Sequence, residues 1–334
     1  MSWLLTGGAG YIGSHVLRAM VDEGLQVVVL DDLSSGLESR VPNHVPLITG
    51  SVLDGELLRA TLRNHGVTGV VHLGAKKSVP VSVEQPLHYY RENVVGVLTL
   101  LEAMVAEGVS NLVFSSSAAV YGTSDAAQVA EDSPTLPDSP YGRTKLMCEW
   151  MIRDAAAAFG LSIMSLRYFN VVGCGDTDLA EVGGTNLFPL VFRALSEGRQ
   201  PVVFGDDYPT RDGSCVRDYI HVEDLASAHV AAVRRVTDAR VDETVNVGCG
   251  VGHTVLEVLD AIGATTGLDT TPVIAPRRAG DPASMVAATG LSEEILGWRA
   301  RHGLTAMVES AWRGAQASRP DSSPVPALGG SSAS

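Results

Sequence analysis

Short apolar runs alternate with longer stretches of mixed polarity along about the first 115 residues. Such runs, bounded by Gly, Asp and Asn, are typical of buried strands, whereas the mixed stretches repeat their apolar positions at helical spacing. The predicted strands of this part are Trp3–Leu5, Gln26–Leu30, Val45–Ile48, Val70–His72 and Asn111–Ser115. The predicted helices begin near Tyr11, Asp54 and Pro86, and the first ends at Glu23–Gly24. Alternation of this kind indicates repeated βαβ units and a parallel sheet.

The pattern continues through a predicted helix from about Ser139 to Phe159 and a strand Ser162–Tyr168, and then changes. Residues 171–220 are rich in Gly, Asp and Pro and contain one apolar helix near Phe188–Leu195. Regular signals return at Val222–Arg234, Thr244–Val247 and Thr254–Thr266. We therefore expect an α/β protein with a Rossmann-type, doubly wound parallel sheet and a smaller C-terminal substrate-binding region.

The expected boundaries follow from these changes in pattern. Residues 1–170, with contributions from about 221–250, form the predicted dinucleotide-binding domain. Residues 171–220 and 251–315 form the predicted substrate-binding region. The segment from Gln316 to Ser334 is small, polar and proline-bearing, so we expect it to be disordered.

Composition excludes several classes of partner. The 334 residues carry a net charge of −14, a field that repels nucleic-acid phosphates and anionic lipid. The four cysteines, Cys148, Cys174, Cys215 and Cys249, lack the spacing of a metal site or a disulfide framework, and no signal peptide is recognised. We predict a cytoplasmic protein that binds no nucleic acid, membrane or metal.

A glycine-rich loop lies between the first predicted strand and the first predicted helix. It reads TGGAGYIG from Thr6 to Gly13, with glycines at 7, 8, 10 and 13. Such a loop brings bare backbone and a helix N-terminus to a pyrophosphate, although a purely structural turn can have the same composition. Asp31 follows the second strand, where an acid accepts hydrogen bonds from the ribose hydroxyls and repels a 2′-phosphate. The context therefore favours NAD over NADP.

A second group of residues suggests proton transfer. The serine-rich stretch from Ser115 follows the fifth strand, and Tyr141 and Lys145 lie four residues apart on the helix that begins at Ser139. On one helix face the lysine ammonium would lower the pKa of the tyrosine and make it a usable base. A Tyr/Lys pair at this spacing also occurs by chance in many helices, and the neighbouring dinucleotide loop is what favours the catalytic interpretation.

These stretches together resemble the extended short-chain dehydrogenase/reductase family. Further stretches outside the cofactor half resemble its UDP-glucose 4-epimerase branch, from about residue 2 to residue 313: LRYFN at 166–170, NLFP at 186–189, FGDDYPTRDG at 204–213, VRDYIHV at 216–222 and RRAGD at 277–281. The resemblance implies an NAD-dependent interconversion of UDP-glucose and UDP-galactose by transient oxidation at C4 of the sugar. Independently, the helices beginning near Pro86 and Ser139 carry apolar positions on more than the face needed to cover a sheet, so we predict a homodimer. These positions include Leu98, Leu101, Met147, Trp150 and Met151.

The resemblance also implies roles for individual residues. Tyr141 is the expected acid/base, Lys145 holds the nicotinamide ribose, and Ser117 bonds the sugar 4′-oxygen. The expected cofactor-binding residues are Gly7, Gly10, Tyr11, Ile12, Gly13, Asp31, Asp32, Ser51, Val52, Lys77, Asn93, Tyr141, Lys145 and Phe169. The expected substrate-binding residues are Ser117, Asn170, Asn186, Leu187, Phe204, Arg217, Arg278, Asp281 and Met285.

Three alternatives remain open at this point. The first is a 4-epimerase of another UDP-sugar, carrying an acetamido group, a pentose or a uronate. The second is a nucleotide-sugar dehydratase, which in this family carries an Asp-Glu pair where this chain has Ala118 and Ala119. The third is a non-catalytic NAD-binding regulator, which would be expected to have lost Tyr141 or Lys145, and both are present.

Overall fold

The computed structural model describes residues 1–124, 126–181, 183–184, 186–278 and 280–318. The strands of this part of the chain are β1 (Ser2–Thr6), β2 (Gln26–Asp31), β3 (Leu47–Thr49), β4 (Val67–His72), β5 (Asn111–Ser115), β6 (Ser162–Tyr168), β7 (Asn170–Val172), β8 (Val202–Phe204), β9 (Val216–His221), β10 (Asp242–Val247), β11 (Gly252–Thr254), β12 (Val273–Ala275) and β13 (Ser284–Met285). The helices are α1 (Tyr11–Asp22), α2 (Gly55–Asn64), α3 (Val79–Glu84), α4 (Pro86–Tyr89), α5 (Gly96–Glu107), α6 (Pro140–Phe159), α7 (Leu187–Ser196), α8 (Val222–Asp238), α9 (Val255–Thr266), α10 (Gly290–Leu296) and α11 (Leu304–Ala317).

Seven of these strands form one parallel sheet in the spatial order β10-β6-β5-β4-β1-β2-β3. The chain moves outward from β1 to β3 and then returns to place β4 on the other side of β1. This reversal is the switch point at which open α/β sheets bind ligands beyond the carboxyl ends of their strands. The prediction of a doubly wound parallel sheet is confirmed.

Successive strand residues face opposite sides of the sheet and so build two separate cores. Trp3 and Leu5 of β1 pack into the layer that includes α1 and α8. Leu4, between them, packs into the layer that includes α2, α5 and α6. The nearly continuous apolar strands of the sequence are therefore explained by burial on both faces.

A second, smaller layer covers one end of the sheet. Here β9 pairs antiparallel with β11 and parallel with β7 and β13, while β8 pairs parallel with β12. Its core joins side chains of α7, α9 and α11, with Phe188, Ile262 and Met307 fully or almost fully buried. No helix in the described ranges is both long enough and apolar enough to cross a bilayer.

Several predicted elements need adjustment. The predicted helix at Pro86 is divided into α4, a π-helical turn Tyr90–Val95, and α5. The predicted strand Val45–Ile48 is observed as β3, one to two residues later. Disorder from Gln316 onward is wrong for the first residues of that segment, because α11 extends through Ala317; residues 319–334 lie outside the described part.

Candidate active site

The glycine-rich loop is tightly packed where it joins β1 to α1. Gly7 has a left-handed φ of +73°, and a Cβ there would lie 2.8 Å from the backbone nitrogen of Gly74. A Cβ at Gly13 would overlap the carbonyl oxygen of Gly7. Gly10 caps α1 in an extended conformation without a side-chain hydrogen bond, so the first N–H groups of the helix remain available. Bare backbone and a helix N-terminus fit the diphosphate of a dinucleotide.

Asp31 ends β2 beside this loop. Its Oδ2 accepts a hydrogen bond from Ala9 N and its Oδ1 accepts one from Leu33 N, both at 2.9 Å. Burial raises the pKa of this carboxyl, and the two N–H groups oppose that effect. A carboxylate accepts about four hydrogen bonds, so two acceptor positions remain for ribose hydroxyls. Asp32 instead accepts from Ser34 N and Oγ.

Four other predicted cofactor residues surround the same sheet edge. Tyr11 directs its hydroxyl away from the loop and donates to Gly173 O at 2.6 Å, which joins the sheet domain to the second layer. Ile12 and Val52 are half-buried against the cores. Ser51 follows β3 and accepts from the backbone N–H two residues later, at 3.1 Å.

Asn93 fastens the loop after β4 to helix α6. From its π-helical turn it accepts a hydrogen bond from Lys76 N at 2.8 Å and donates to Lys76 O and Thr144 Oγ1, both at 3.0 Å. Lys77 is the next residue along that loop. The chain contains three lysines, Lys76, Lys77 and Lys145, and all of them lie around this edge.

The predicted catalytic side chains are close together on β5, its following turn and α6. Ser139 caps α6 by accepting from Gly142 N at 3.1 Å, and the helix places Tyr141 and Lys145 on its buried face. The Tyr141 hydroxyl is hydrogen-bonded to Ser117. Lys145 Nζ donates to Ser115 O at 2.7 Å. These contacts bring the predicted catalytic side chains together at the carboxyl end of the sheet.

The electrostatics of this group differ from the expectation. Burial raises the pKa of Tyr141 to about 12, opposed by its bond to Ser117. Burial also lowers the pKa of Lys145 to about 8. The prediction that the ammonium depresses the tyrosine pKa is therefore wrong for the protein alone, because desolvation of the phenolate is the larger effect. At neutral pH Tyr141 carries its proton and Lys145 is mainly cationic.

Two arginines of the second layer already have partners. Arg217 on β9 forms an ion pair with Asp281 and donates through Nη1 to Val216 O at 2.7 Å. The guanidinium of Arg278 lies 3.8 Å from the ring centroid of Phe204. Four residues predicted to bind substrate are thus brought together as two contacting pairs, Arg217 with Asp281 and Arg278 with Phe204.

The remaining substrate-side residues lie on several elements. Asn170 is exposed at the start of β7, and Asn186 precedes α7, whose first residue is the half-buried Leu187. Phe169 and Met285 belong to one apolar cluster with Ala118, Leu146 and four other buried residues. Because Ala118 follows Ser117, this cluster adjoins the turn after β5 that carries Ser116 and Ser117, which we call the catalytic turn after the predicted role of Ser117.

Sequence reasoning missed two acidic residues. Glu181 contacts both Lys77 Nζ, at 3.4 Å, and Asn186 Nδ2, at 3.3 Å. Glu149 on α6 pairs with the buried Arg167 of β6. The available signal for Glu149 was its position four residues after Lys145, which puts it on the same helix face.

Within the described ranges, His221, Glu223 and His302 have the residue types and proximity of a metal site. The two imidazole rings are stacked, with centroids 4.3 Å apart and an interplanar angle of 26°. A ring nitrogen binds metal in the plane of its own ring, so two nearly parallel, separated rings cannot share one ion. His221 is also used at both nitrogens, by Glu223 N at 3.1 Å and Ser310 Oγ at 2.8 Å.

Comparison with known proteins agrees with this geometry. The UDP-glucose 4-epimerase of Azospirillum brasilense is 45% identical over 313 residues, covering 92% of this chain and 90% of that protein. That of Corynebacterium glutamicum is 44% identical over 315 residues, covering 93% and 95%. The structure is similar, with a TM-score of 0.91 and 42% identity over 95% of this chain and 98% of the other, to a UDP-glucose-4-epimerase from Stenotrophomonas maltophila with bound NAD and formylated UDP-arabinopyranose. The profile of the NAD dependent epimerase/dehydratase family matches residues 3–248, and the chain belongs to that family.

Proposed function

We propose that this protein is an NAD-dependent enzyme that interconverts UDP-glucose and UDP-galactose by transient oxidation at C4 of the sugar. The observation that carries the proposal is the contact of Tyr141 with Ser117, next to the ammonium of Lys145. The glycine loop and Asp31 lie at the same sheet edge. Relatives named UDP-glucose 4-epimerase, 45% and 44% identical over most of the chain, support the same assignment.

The proposed chemistry assigns one task to each catalytic side chain. Tyr141 can act as a base only as a phenolate, so its own proton must first be lost; it then takes the proton of the sugar 4′-hydroxyl, directly or through Ser117, and later returns it. Lys145 supplies the cationic charge that stabilises a phenolate at Tyr141. When bound, NAD supplies a reversible acceptor for the hydride of C4 and is regenerated within each turnover.

The two parts of the molecule are proposed to bind different halves of the reacting pair. Residues 1–170 with 221–250 would hold NAD, through the loop glycines, Asp31 and Lys77. Residues 171–220 and 251–315 would hold the UDP-sugar. There the guanidiniums of Arg217 and Arg278 suit a diphosphate, since both present planar, bidentate donors.

We further propose a homodimer formed through the outer faces of α5 and α6. Leu98, Met147 and Trp150 are exposed apolar side chains on these helices, with Trp150 54% exposed. Leu101 and Met151, also predicted for this face, instead pack into the core. Apolar side chains of this size on neighbouring helices suit packing against a second copy.

Sedimentation of two variants tests the dimer. Trp150→Glu should give a monomer at micromolar concentration, whereas Phe159→Glu, at the end of the same helix and 61% exposed, should leave the dimer intact. A monomeric unmodified protein would contradict the proposal.

The free cysteines, three of them buried, support a reducing compartment. We therefore propose that the protein acts in the cytoplasm, with a role in galactose metabolism.

Incubation with UDP-galactose, followed by chromatographic separation of the nucleotide sugars, tests the activity. The unmodified protein should form UDP-glucose with no net change in absorbance at the NADH wavelength. Tyr141→Phe should lower kcat by about 10²–10⁴-fold with little change in KM, because it removes a proton-transfer group but almost no contact area. No product from NAD-loaded protein, or near-normal turnover by the variant, would overturn the assignment.

A further inference from the structure

A buried ion pair lies directly beneath the candidate catalytic group. Arg167 donates to Glu149 through Nε, at 2.9 Å to Oε1, and through Nη2, at 2.7 Å to Oε2. Both residues are about 5% exposed. A buried charge that loses its partner is strongly destabilising, so each of these two buried side chains depends on the other. The pair instead forms a fixed link between helix α6 and strand β6.

Glu149 extends this link to the catalytic turn. Ser116 Oγ donates to Glu149 Oε1 at 2.5 Å. Ser116 is held on its other side by a backbone hydrogen bond from its N–H to Leu166 O at 2.8 Å. The next residue is Ser117, which bonds Tyr141. One carboxylate thus fixes the position of the turn relative to the helix that carries Tyr141.

Arg167 extends the link toward β10, the edge strand of the seven-stranded sheet. Its Nη1 donates to Tyr121 OH and to Glu131 O, both at 3.1 Å. Tyr121 OH donates in turn to Asn246 Oδ1 at 2.6 Å on β10. Each polar atom named in this hydrogen-bond network has a partner. A buried polar network whose members are all satisfied rigidifies its surroundings.

We propose that Glu149, held by Arg167, is a positioning residue for the epimerisation: its carboxylate fixes Ser116, and through it Ser117, against the hydroxyl of Tyr141. This inference rests on the proposed function. It adds an electrostatic role, because burial lowers the pKa of Lys145, and the neighbouring Cys148 and the negative charge of Glu149 both raise it against that effect. Removing that charge therefore shifts the deprotonation of Lys145 to lower pH.

Two substitutions separate the geometric role from the electrostatic one. Glu149→Gln removes the charge and the best acceptor for Ser116. Ser116→Ala removes the hydroxyl alone and leaves both charges in place. Misplacement of a catalytic group by about 1 Å costs roughly 10²-fold, so we expect Glu149→Gln to lower kcat by about 10- to 100-fold with KM nearly unchanged. Ser116→Ala should lower kcat by a smaller factor without moving the pH profile.

Asp224→Asn is the matched control for the loss of a buried carboxylate. Asp224 is 3% exposed and accepts from the backbone of Arg301 and His302, far along the chain from the catalytic turn. It should lower the melting temperature as Glu149→Gln does while leaving kcat and its pH profile unchanged. A merely structural role for Glu149 would make the two variants behave alike.

The titration of Lys145 gives a readout that does not depend on turnover. Because the chain has three lysines, ¹³Cε-lysine labelling gives three signals, and Lys145→Arg identifies one of them. The Lys145 midpoint, expected at about 8 in the unmodified protein because burial lowers the pKa of Lys145, should move to lower pH in Glu149→Gln and stay in place in Asp224→Asn. The alkaline limb of kcat/KM should move in the same direction.

The outcomes are distinguishable. Inactivity of the unmodified, NAD-loaded protein would contradict the proposed function. Normal kcat and an unshifted Lys145 midpoint in a folded Glu149→Gln variant would overturn the positioning role. If that variant does not fold, Ser116→Ala decides: reduced kcat with normal KM supports the inference, and unchanged kcat overturns it.

Discussion

Replacing Met285 with serine should widen the proposed sugar pocket. Met285 lies on β13 opposite Arg217 of β9, is 9% exposed, and packs with Phe169 and Leu146. From the family resemblance we propose that this position borders the sugar 2-position, where UDP-N-acetylglucosamine carries its acetamido group. We expect the unmodified protein to prefer UDP-glucose and UDP-galactose, with weaker activity on the acetamido sugar that rises in Met285→Ser.

The packing of Met285 sets the size of the effect. Methionine has three rotatable bonds and adapts to some intrusion, but here its neighbours must move with it. If accommodating the acetamido group resembles overpacking a core, it costs roughly 1–3 kcal/mol. At about 1.4 kcal/mol per factor of ten, this is about 5- to 150-fold in kcat/KM. Met285→Ser should reduce the discrimination by a comparable factor.

The substitution also has a structural cost that the assay must separate. Truncating a buried methionine typically destabilises a protein by about 2–5 kcal/mol. Met307→Ser is a suitable control, because Met307 is also buried, at 2% exposed, but lies in a different cluster from Met285. It packs in the core of the second layer with Phe192 and Val258. Both variants should melt earlier than the unmodified protein, and only Met285→Ser should change the ratio of kcat/KM values for the two sugars.

Kinetics on both nucleotide sugars, with NAD content matched between variants, measure that ratio. Equal efficiency on the two sugars in the unmodified protein would show that Met285 does not restrict the pocket. The same conclusion would follow if Met285→Ser and Met307→Ser changed the ratio equally, since the effect would then come from general loosening.

Three further predictions concern the edge of the sheet at which the cofactor is proposed to bind. Protein purified without added cofactor should carry NAD in excess of NADP, because Asp31 would repel a 2′-phosphate; assay of the denatured supernatant decides, and predominant NADP would contradict this role. Gly13→Ala should abolish cofactor retention, because its Cβ would overlap Gly7 O, whereas Gly290→Ala, with open space around its Cβ, should not. Activity should fall as pH rises through about 8, since burial lowers the pKa of Lys145 to that value and its cationic form is required; a flat profile to pH 9 would argue against it.

The sequence predicts the sheet domain well because its signals are local. Strands Asn111–Ser115 and Ser162–Tyr168 are observed at their predicted bounds, since both are short segments centred on large apolar residues and buried on two faces. The second layer is different: β13 has two residues, which is too short for any periodicity, and it forms only by pairing with β9.

The same distinction applies to the site. The shared helix face of Tyr141 and Lys145 follows from a spacing of four residues. The pKa of Tyr141 does not, because it depends on burial by distant segments. Charged residues are mostly exposed to solvent, so the sequence alone predicts exposed side chains for Glu149 and Arg167. Their pairing depends on the contact between α6 and β6, which only the structure shows.

On the proposed function, the contacts of the second layer make substrate binding an exchange of partners. Arg217 is paired with Asp281, so it can turn to a diphosphate only by releasing that carboxylate. By the family resemblance, Asp281 is expected to bind the uridine ribose, and without a ribose its half-buried carboxylate would lose its cation and gain no partner. Arg278 need not leave the ring of Phe204, because a guanidinium stacked on an aromatic face keeps its N–H groups free in its own plane. A ligand that carries both a diphosphate and a ribose satisfies both members of the Arg217–Asp281 pair at once, whereas pyrophosphate or uridine alone leaves one of them without its partner. The pairing therefore favours a whole nucleoside diphosphate over either of its halves.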